Sequence, residues 1–475
     1  MRSPGPRLLT RQWPSRSFLV FLLAAAGAVL LFPSALLAAP ASGQSREVVV
    51  TRPMAVGSSA AGLAFDAGTH SLYTVDQGGS VSVLDTGQCN ADAAPGCRTE
   101  RVGTISLPPG SGPRGIAIDS PTDTVYVADE GVDAISVING AACNATDRSG
   151  CTPTSTLLAD PSGSPTVKTI RVGAFPDGIA VDPDTDTVYV TNHGATGHPG
   201  DTVSVINGAR CNGLHSSGCG LLATLRVGRG PGWIALDEAT QTGYTVDQTA
   251  GTVSVINLAT CNATDTLGCG QKTSTIAVGA SPFELAIDQQ LQTAYVASDV
   301  HGTVSVVDLV SCHATTTMRC RTFPPTGHVT NFAAPATPAL GATSCAAATT
   351  SSCRAVSRTP ASGAQSSGAA VDTANRSVYV VNQGPATVSV IDAATCNASD
   401  RAGCARPVAT IHVGADPAGV AIDQATNTVY VANNGGATVS VIDAAFCNAT
   451  DHAGCDRIRA TITVGRNPFG IGIDQ

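Results

Sequence analysis

The chain has little charge and few aromatic side chains for its length of 475 residues. Charged residues make up 13% of the sequence and aromatic residues 4%, and only two lysines occur, Lys168 and Lys272. The formal net charge is -9 at pH 7. This balance argues against binding to a phosphate backbone, and therefore against a nucleic-acid partner. The low charge density also argues against strong electrostatic steering of a ligand.

Long apolar runs are absent beyond the N-terminal segment. There, the apolar run Phe18–Phe32 is followed by Ala39-Pro40-Ala41, which has the small-x-small form of a cleavage site, and it is preceded by Arg2, Arg7, Arg11 and Arg16. This order is typical of an export signal. We expect residues 1–41 to be a signal peptide, cleaved or retained as an anchor. Residues 42–475 are then expected to be secreted or at the cell surface, with no further membrane segment.

The helical period of 3.6 residues is also absent, whereas a repeat is obvious. Its clearest copy, Thr410–Cys455, contains a strand ending in V-G, a P-x-G turn, a small apolar strand ending in Asp, a T-V-Y-V strand and a T-V-S-V strand. The 50 glycines and 28 prolines suit tight turns between such short strands. A unit of this kind cannot bury its own faces and must stack on its neighbours.

Four strands per unit predict an all-β fold, a β-propeller of four-stranded antiparallel blades. Seven complete strands carry the repeated tyrosine, so seven blades are predicted, with eight as the alternative. The alternative arises from residues 322–367, which keep a cysteine pair and the short sequence His328–Asn331 but lack two of the expected strands. We interpret this segment as a degenerate partial blade or an extruded loop within one propeller domain.

The cysteines form eight pairs with a constant spacing of eight residues. We predict a disulfide within each pair, closing a loop between the third and fourth strands, because such usage is typical of an oxidising compartment. A zinc site is disfavoured because no histidine accompanies the pairs in constant register. The pairs are Cys89/Cys97, Cys143/Cys151, Cys211/Cys219, Cys261/Cys269, Cys312/Cys320, Cys345/Cys353, Cys396/Cys404 and Cys447/Cys455.

Several of these loops read C-N-A-T-D and allow two interpretations. The Asn and Asp residues favour a hairpin turn held by local side-chain hydrogen bonds, or the loops together form a rigid crown that presents a binding surface. Four of the asparagines begin an N-x-[ST] sequence, but turn chemistry explains the recurrence of Asn better than glycosylation. These four are Asn144, Asn262, Asn397 and Asn448.

The sequence closely resembles the YVTN family of β-propeller repeat proteins. The resemblance rests on Tyr189-Val190-Thr191-Asn192 followed by T-V-S-V-I-N at Thr202–Asn207, and on further copies at Tyr379–Asn382 and Tyr430–Asn433. It covers roughly residues 47–475, apart from the irregular segment. It implies a seven-bladed, exported or surface propeller, similar in fold to surface-layer proteins and to lactonase-type propellers, and it does not imply one particular activity.

One ring of candidate site residues follows the repeated tyrosine by three positions, or by four in the fifth unit, where the sequence is Ser298-Asp299. The structural interpretation is an Asx-capped turn, and the functional one is a polar rim around the mouth of the channel that holds a cation through Asp76, Asp129 and Asp247. Trp233 lies in a P-x-G turn on the same face, where core packing is the favoured interpretation and stacking on a ring of a ligand is the alternative. Calcium needs six to eight oxygen ligands, so we expect no metal site here. The candidate binding residues are Asp76, Asp129, Asn192, Asp247, Asp299, Asn382, Asn433 and Trp233.

No catalytic signature is present in the sequence, which lacks a G-x-S-x-G elbow, a haem-attachment motif and a Gly-rich phosphate loop. The leading hypothesis is therefore a non-catalytic scaffold that binds a protein, a glycan or an envelope component. The alternative is a lactonase-like or other small-molecule hydrolase with its site at the channel mouth. We expect no catalytic residue, no cofactor, no nucleic-acid partner and a monomer.

Overall fold

The computed structural model describes most of the compact unit Glu47–Gln475. The described residues are 60–76, 78–93, 101–151, 167–195, 197–215, 217–299, 302–314, 330–333, 366–404, 406–463 and 470–473. The predicted signal segment, Cys97, Cys320, Cys345 and Cys353 lie outside them. No helix in these ranges is long and apolar enough to span a membrane.

Seven sheets follow one another along the chain, and each contains one blade of four antiparallel strands, with a fifth strand in the sheet of blade 1. Blades 1 and 2 comprise β1 (Ala60–Asp66), β2 (Ser71–Asp76), β3 (Ser80–Asp85), β4 (Arg101–Ser106), β5 (Pro113–Asp119), β6 (Thr124–Asp129), β7 (Ala134–Asn139) and β8 (Lys168–Arg171). Blades 3 and 4 comprise β9 (Pro176–Asp182), β10 (Thr187–Ala195), β11 (His198–Asn207), β12 (Leu221–Arg226), β13 (Pro231–Asp237), β14 (Thr242–Asp247), β15 (Thr252–Asn257) and β16 (Ser274–Ala277).

The remaining blades follow the same order. Blades 5 and 6 comprise β17 (Pro282–Asp288), β18 (Thr293–Ser298), β19 (Thr303–Asp308), β20 (Thr330–Ala333), β21 (Ser366–Asp372), β22 (Ser377–Asn382), β23 (Thr387–Asp392) and β24 (Ala409–His412). Blade 7 comprises β25 (Pro417–Asp423), β26 (Thr428–Asn433), β27 (Thr438–Asp443) and β28 (Ala460–Thr463), and β29 (Gly470–Ile473) follows it. Short 3-10 turns span Ser120–Thr122, Glu130–Val132 and Gly140–Ala142.

The second strand of each blade is buried on both faces, as its apolar composition predicts. In β6, for example, every residue of T-V-Y-V-A-D is buried. The core consists of layers between neighbouring blades. One layer packs Val75 and Val81 of blade 1 against Ile116 and Ile118 of blade 2. Stacking of adjacent blades therefore buries what a single unit leaves exposed.

A tyrosine hydroxyl joins every blade to the next one. It lies in the second strand and donates a buried hydrogen bond of 2.6–3.0 Å to the carbonyl oxygen of the first cysteine in the next disulfide loop. The pairs are Tyr73–Cys143, Tyr126–Cys211, Tyr189–Cys261, Tyr244–Cys312, Tyr295–Cys396, Tyr379–Cys447 and Tyr430–Cys89. The last pair connects blade 7 to blade 1, so the ring is closed.

A second hydrogen bond accompanies each tyrosine joint. The backbone N–H two residues after the same cysteine donates to a Ser or Thr hydroxyl at the start of the preceding blade's second strand. Ala145 of blade 2 donates to Ser71 of blade 1 at 2.7 Å. Ala91 of blade 1 donates to Thr428 of blade 7 at 2.9 Å, at the contact that closes the ring. The disulfide loops are therefore latches between blades as well as hairpin turns.

The count of seven blades is confirmed by the joint between blades 5 and 6. Tyr295 of blade 5 bonds directly to Cys396 of blade 6, so no blade lies between them. Thr330–Ala333, which overlaps the short sequence noted in the irregular segment, forms β20 and pairs with β19 as the outer strand of blade 5. Most of the remaining segment lies outside the described residues.

The last strand, β29, adds to blade 1 on its inner side. It pairs with β1 in parallel, with Gly470 opposite Gly62 and Ile473 opposite Phe65. It also contacts the inner strands β5 and β25 of the two neighbouring blades. In sequence, β29 and β1 each correspond to the inner strand of a repeat. Their pairing therefore places residues of the same repeat position opposite each other, such as Gly470 and Gly62.

Five predicted disulfides lie within the described residues, and the structure confirms all five. They join Cys143 to Cys151, Cys211 to Cys219, Cys261 to Cys269, Cys396 to Cys404 and Cys447 to Cys455. Cys89 and Cys312 are disulfide-bonded as well. This usage is consistent with an oxidising, extracellular compartment.

Candidate functional site: the channel and the disulfide-loop face

The strand directions give the propeller two distinct ends. The disulfide-loop face carries the loops between the third and fourth strands, together with the turns from the first strand to the second. The P-x-G face carries the turns into the inner strands, such as Pro113 and Pro282, and the turns from the second strand to the third. The inner strands β1, β5, β9, β13, β17, β21 and β25 line the channel between these faces.

The asparagine of each C-N-A-T-D loop is a structural residue. Asn144 is buried, and its side-chain amide donates to the carbonyl of Gly140 at 3.0 Å. Its Oδ1 accepts hydrogen bonds from the backbone N–H groups of Thr146 and Asp147. The same pattern occurs at Asn262, Asn397 and Asn448. Turn chemistry therefore explains these asparagines.

The residues of the predicted polar ring lie at the ends of the second strands, and their side chains are buried inside the blades. Six of its members are buried, at no more than 2% exposure: Asp76, Asp129, Asn192, Asp247, Asn382 and Asn433. Each bonds to hydroxyls of the third strand in its own blade: Ser254 donates to Asp247 at 2.8 Å, and the Asn382 amide donates to Ser389 at 2.9 Å. At least one side-chain atom of each residue is thus engaged inside the blade, while the buried Oδ1 atoms of Asp129 and Asn433 accept no hydrogen bond from the described residues. A binding role for the ring stays a prediction.

Aspartate and asparagine play the same part at this position with different electrostatics. Burial raises the pKa of Asp129 to about 7 and that of Asp247 to about 6. Donors from neighbouring hydroxyls lower the pKa values, but less than burial raises them. In blade 5 the position is Ser298, and Asp299 follows outside the strand, half-buried, with a pKa that burial raises.

The third residue of the inner strands distinguishes blades 4 and 5 from the others. It is glycine in blades 1, 2, 3, 6 and 7, but Trp233 in blade 4 and Glu284 in blade 5. A Cβ at Gly115 would lie 2.2 Å from the carbonyl oxygen of Asp177 in the next blade. Glycine is therefore needed where inner strands approach closely, and two adjacent blades carry large side chains instead.

Glu284 is the most unusual side chain of the channel. It lines a cavity of about 340 Å³ together with apolar residues of the inner strands, including Ile116, Ile179 and Leu285. Only 3% of Glu284 is exposed, and burial raises the pKa of its carboxyl well above the usual range. Its Oε2 points towards Gly368, the equivalent residue of blade 6. Among the described residues, no hydrogen bond or ion pair reaches this carboxyl.

Trp233 lines the same cavity and also packs on the core. It is half-buried against the apolar layer between blades 4 and 5, which contains Val246 and Leu285. Core packing is the interpretation that the sequence favours for Trp233, and the structure shows that packing, while a binding role for Trp233 stays a prediction. In the sequence, Glu284 replaces the glycine of one P-x-G turn, and that replacement alone indicates no role. Alignment of the seven inner strands, with glycine at five copies, is the signal that identifies it.

Other polar groups of the P-x-G face pair within a blade or between neighbouring blades. Arg114 forms an ion pair of 2.7 Å with Glu130 and lies 4.0 Å from Asp177 of blade 3. His193 Nε2 lies 3.2 Å from Gln248 Oε1 of blade 4. The hairpin of β10 and β11 is longer than its counterparts, since Gly194 pairs with Pro199 and Ala195 with His198 beyond the regular ladder. No group of three or more potential metal ligands occurs within the described ranges.

The disulfide-loop face carries most of the exposed large apolar side chains of the described residues. Leu214 and Leu267 lie within disulfide loops and are 67% and 88% exposed. Val310 and Phe446 precede loop cysteines, and Leu221, Leu222 and Val408 are at the loop ends of outer strands. Phe175 is the counterpart on the P-x-G face, at 38% exposure. The apolar surface is thus unequally divided between the faces.

Comparison with known proteins supports the fold and nothing finer. No protein-family model and no curated protein sequence matches the chain. Hydrazine synthase of Kuenenia stuttgartiensis is similar in structure, with a TM-score of 0.55 and 15% identity over 84% of this chain and 98% of that one. A streptogramin B lyase structure matches with a TM-score of 0.49 and 11% identity over 79% and 91% of the two chains. The chain is therefore a β-propeller, and its YVTN resemblance stays a prediction.

Proposed function

We propose that the protein is an exported propeller of the YVTN repeat type that acts as a non-catalytic scaffold and binds a protein partner through its disulfide-loop face. The exposed apolar side chains of that face carry the proposal. Contiguous or clustered apolar groups at a surface mark interaction sites more often than scattered ones do. Here they are concentrated at one end of the ring, on loops of repeated geometry.

Rigidity of the loops supports a binding role. The five loops whose disulfides are described each contain a buried asparagine and form two hydrogen bonds to the preceding blade. Leu267 is an example. Its backbone N–H donates a hydrogen bond of 2.9 Å to the Asp265 carboxylate, and the disulfide between Cys261 and Cys269 closes its loop. A surface that is ordered before binding loses little conformational entropy when a partner docks.

The chemistry of this face favours a protein over a glycan. Its exposed large apolar side chains are leucine, valine and a single phenylalanine, and they lie among exposed polar residues of the loops such as Asp147 and Arg148. Sugar recognition uses exposed aromatic rings, of which Phe446 is the only one on the described part of this face. Aromatic residues are only 4% of the chain, and the tyrosines are buried in the joints between blades. Leucine and phenylalanine contribute binding free energy mainly when they are removed from water and packed against an apolar surface of the partner.

The test compares one variant on each face. Labelled protein is titrated onto cell envelopes of the organism that produces it, and saturable binding is measured for the wild type, for the double variant L214D/L267D, and for F175D as the control on the opposite face. We expect the double variant to bind about tenfold more weakly, because two buried apolar contacts are lost. The control is expected to bind as the wild type does.

Treatment of the envelopes identifies the partner class. Protease treatment should abolish binding, whereas periodate oxidation of glycans should leave it unchanged. Binding that survives protease but not periodate would replace the protein partner with a glycan. Equal binding by L214D/L267D and the wild type, or no saturable binding at all, would contradict the proposal.

A further inference from the structure

We propose that the channel contains a binding site for a small organic ammonium ion, whose cationic head pairs with the Glu284 carboxylate and whose apolar body lies against Trp233 and the inner strands. This site is separate from the disulfide-loop face and does not depend on the partner proposed there. It lies where blades 4 and 5 depart from the glycine of the other copies.

The burial of Glu284 is the first argument. A carboxylate removed from water without a partner is costly, and such groups are neutral or paired with a cation. The Glu284 carboxyl is almost fully buried beside a cavity, and no described residue pairs with it. A ligand cation entering the cavity would supply the missing partner.

The charge of the cavity is the second argument. The described residues that line it include Glu284 and Glu238 but no lysine, arginine or histidine. Arg114, near the mouth, is already paired with Glu130. An anionic ligand would find no positive group here, whereas a cation would find a carboxylate in a low-dielectric wall.

The size and the walls of the cavity determine the ligand class. About 340 Å³ is at the lower end of small-molecule sites, so a compact ligand is expected. Most of the lining residues are Ile, Val, Ala and Leu of the inner strands, with Glu238 and Gln289 among the others. Trp233 lines the cavity from the position in β13 that Glu284 holds in β17. Indole faces attract quaternary ammonium groups, and aliphatic walls suit their methyl groups. A hydrated metal ion matches these walls poorly because it requires several oxygen ligands.

The pairing should depend on pH. Burial keeps the Glu284 carboxyl protonated to an unusually high pH, so a permanent cation must displace that proton when it binds. Affinity is therefore expected to rise as pH rises towards the raised pKa of Glu284 and to level off above it. Glu238 is exposed at the other end of the cavity, and no other titratable residue lines it among those described.

The experiment uses probes of equal shape and different charge. Isothermal titration of the full chain with choline and with benzyltrimethylammonium is compared with titration of 3,3-dimethylbutan-1-ol, the uncharged carbon isostere of choline. We expect at least one ammonium probe to bind, about tenfold more tightly than the isostere at pH 8. The variant E284Q should lose that difference and its pH dependence, and E238Q is the matched control that keeps both.

Any other outcome would contradict the proposed ammonium site. Failure of both ammonium probes to bind the wild type would exclude it. Equal affinity for the isostere, or unchanged binding by E284Q, would show that the charge of Glu284 is not recognised. Circular dichroism of E284Q establishes that lost binding does not reflect lost folding. The loop-face variant L214D/L267D should bind choline normally, so failure of either proposal is distinguishable from failure of the other.

Discussion

The joints between blades and the channel wall at blades 4 and 5 differ in how strictly they repeat. The tyrosine joint is the same at every blade, from Tyr73 to Tyr430, and it includes the seam that closes the ring. The third position of the inner strand is glycine except at Trp233 and Glu284. The repeated features hold the blades together. The departures from the repeat place a carboxyl and an indole in the channel, where no joint requires them.

The largest expected effect comes from filling a repeated glycine. In G115A the new Cβ would lie 2.2 Å from the Asp177 carbonyl oxygen, a backbone atom that cannot move without shifting blade 3. We expect a loss of about 3 kcal/mol in the free energy of unfolding, measured by urea titration. The control G220A adds a Cβ in open space and should be neutral or slightly stabilising. A loss in G115A no larger than in G220A would show that the close approach of inner strands is not a requirement.

Much of this fold could be predicted from the sequence because the repeat fixes it locally. The strands, the turns and the disulfides between Cys143 and Cys151 or Cys447 and Cys455 all follow from short-range patterns. The joints could not be predicted, since Tyr126 and Cys211 are far apart in the chain and meet only when blades stack. Burial of the Asp129 ring and of Glu284 depends on the same stacking. A residue that occurs in only one copy of the repeat gives no periodic signal, so the sequence alone predicts no role for Glu284.

A smaller effect is expected where aspartate and asparagine alternate in the repeated ring. Burial raises the pKa of Asp129 to about 7, above its unfolded value of 3.8, so the folded state binds more protons between these values. Stability is therefore lost as pH rises from about 4 to 7. We expect D129N to be more stable than the wild type at pH 8, by on the order of 2 kcal/mol, and equal to it near pH 4.

Native asparagines provide the matched control for that substitution. Asn382 holds the equivalent place in blade 6 and donates to Thr387 and Ser389. The reverse change N382D should introduce the same loss of stability between pH 4 and 7. Identical pH profiles for the wild type, D129N and N382D in chemical unfolding would contradict the assignment of a buried, reluctantly ionised carboxyl to this position.

The smallest of the stability effects tests whether the ring is closed. Y126F removes a joint within the ring and Y430F removes the joint between blades 7 and 1, each leaving a buried cysteine carbonyl without its hydroxyl donor. We expect each to lower the free energy of unfolding by about 1 kcal/mol. Thermal melts at matched concentration would give the comparison. If Y126F clearly lowers the free energy of unfolding and Y430F does not, the contact between the last and first blades does not contribute to stability.

The most direct test of the account is the free energy of unfolding of E284Q at pH 8, measured by urea titration. If residues that depart from the repeat serve binding and not folding, E284Q will be at least as stable as the wild type, because it removes a buried carboxyl that no described residue pairs with. A loss of more than about 1 kcal/mol would contradict the account, since it would make Glu284 part of the framework that holds the blades together.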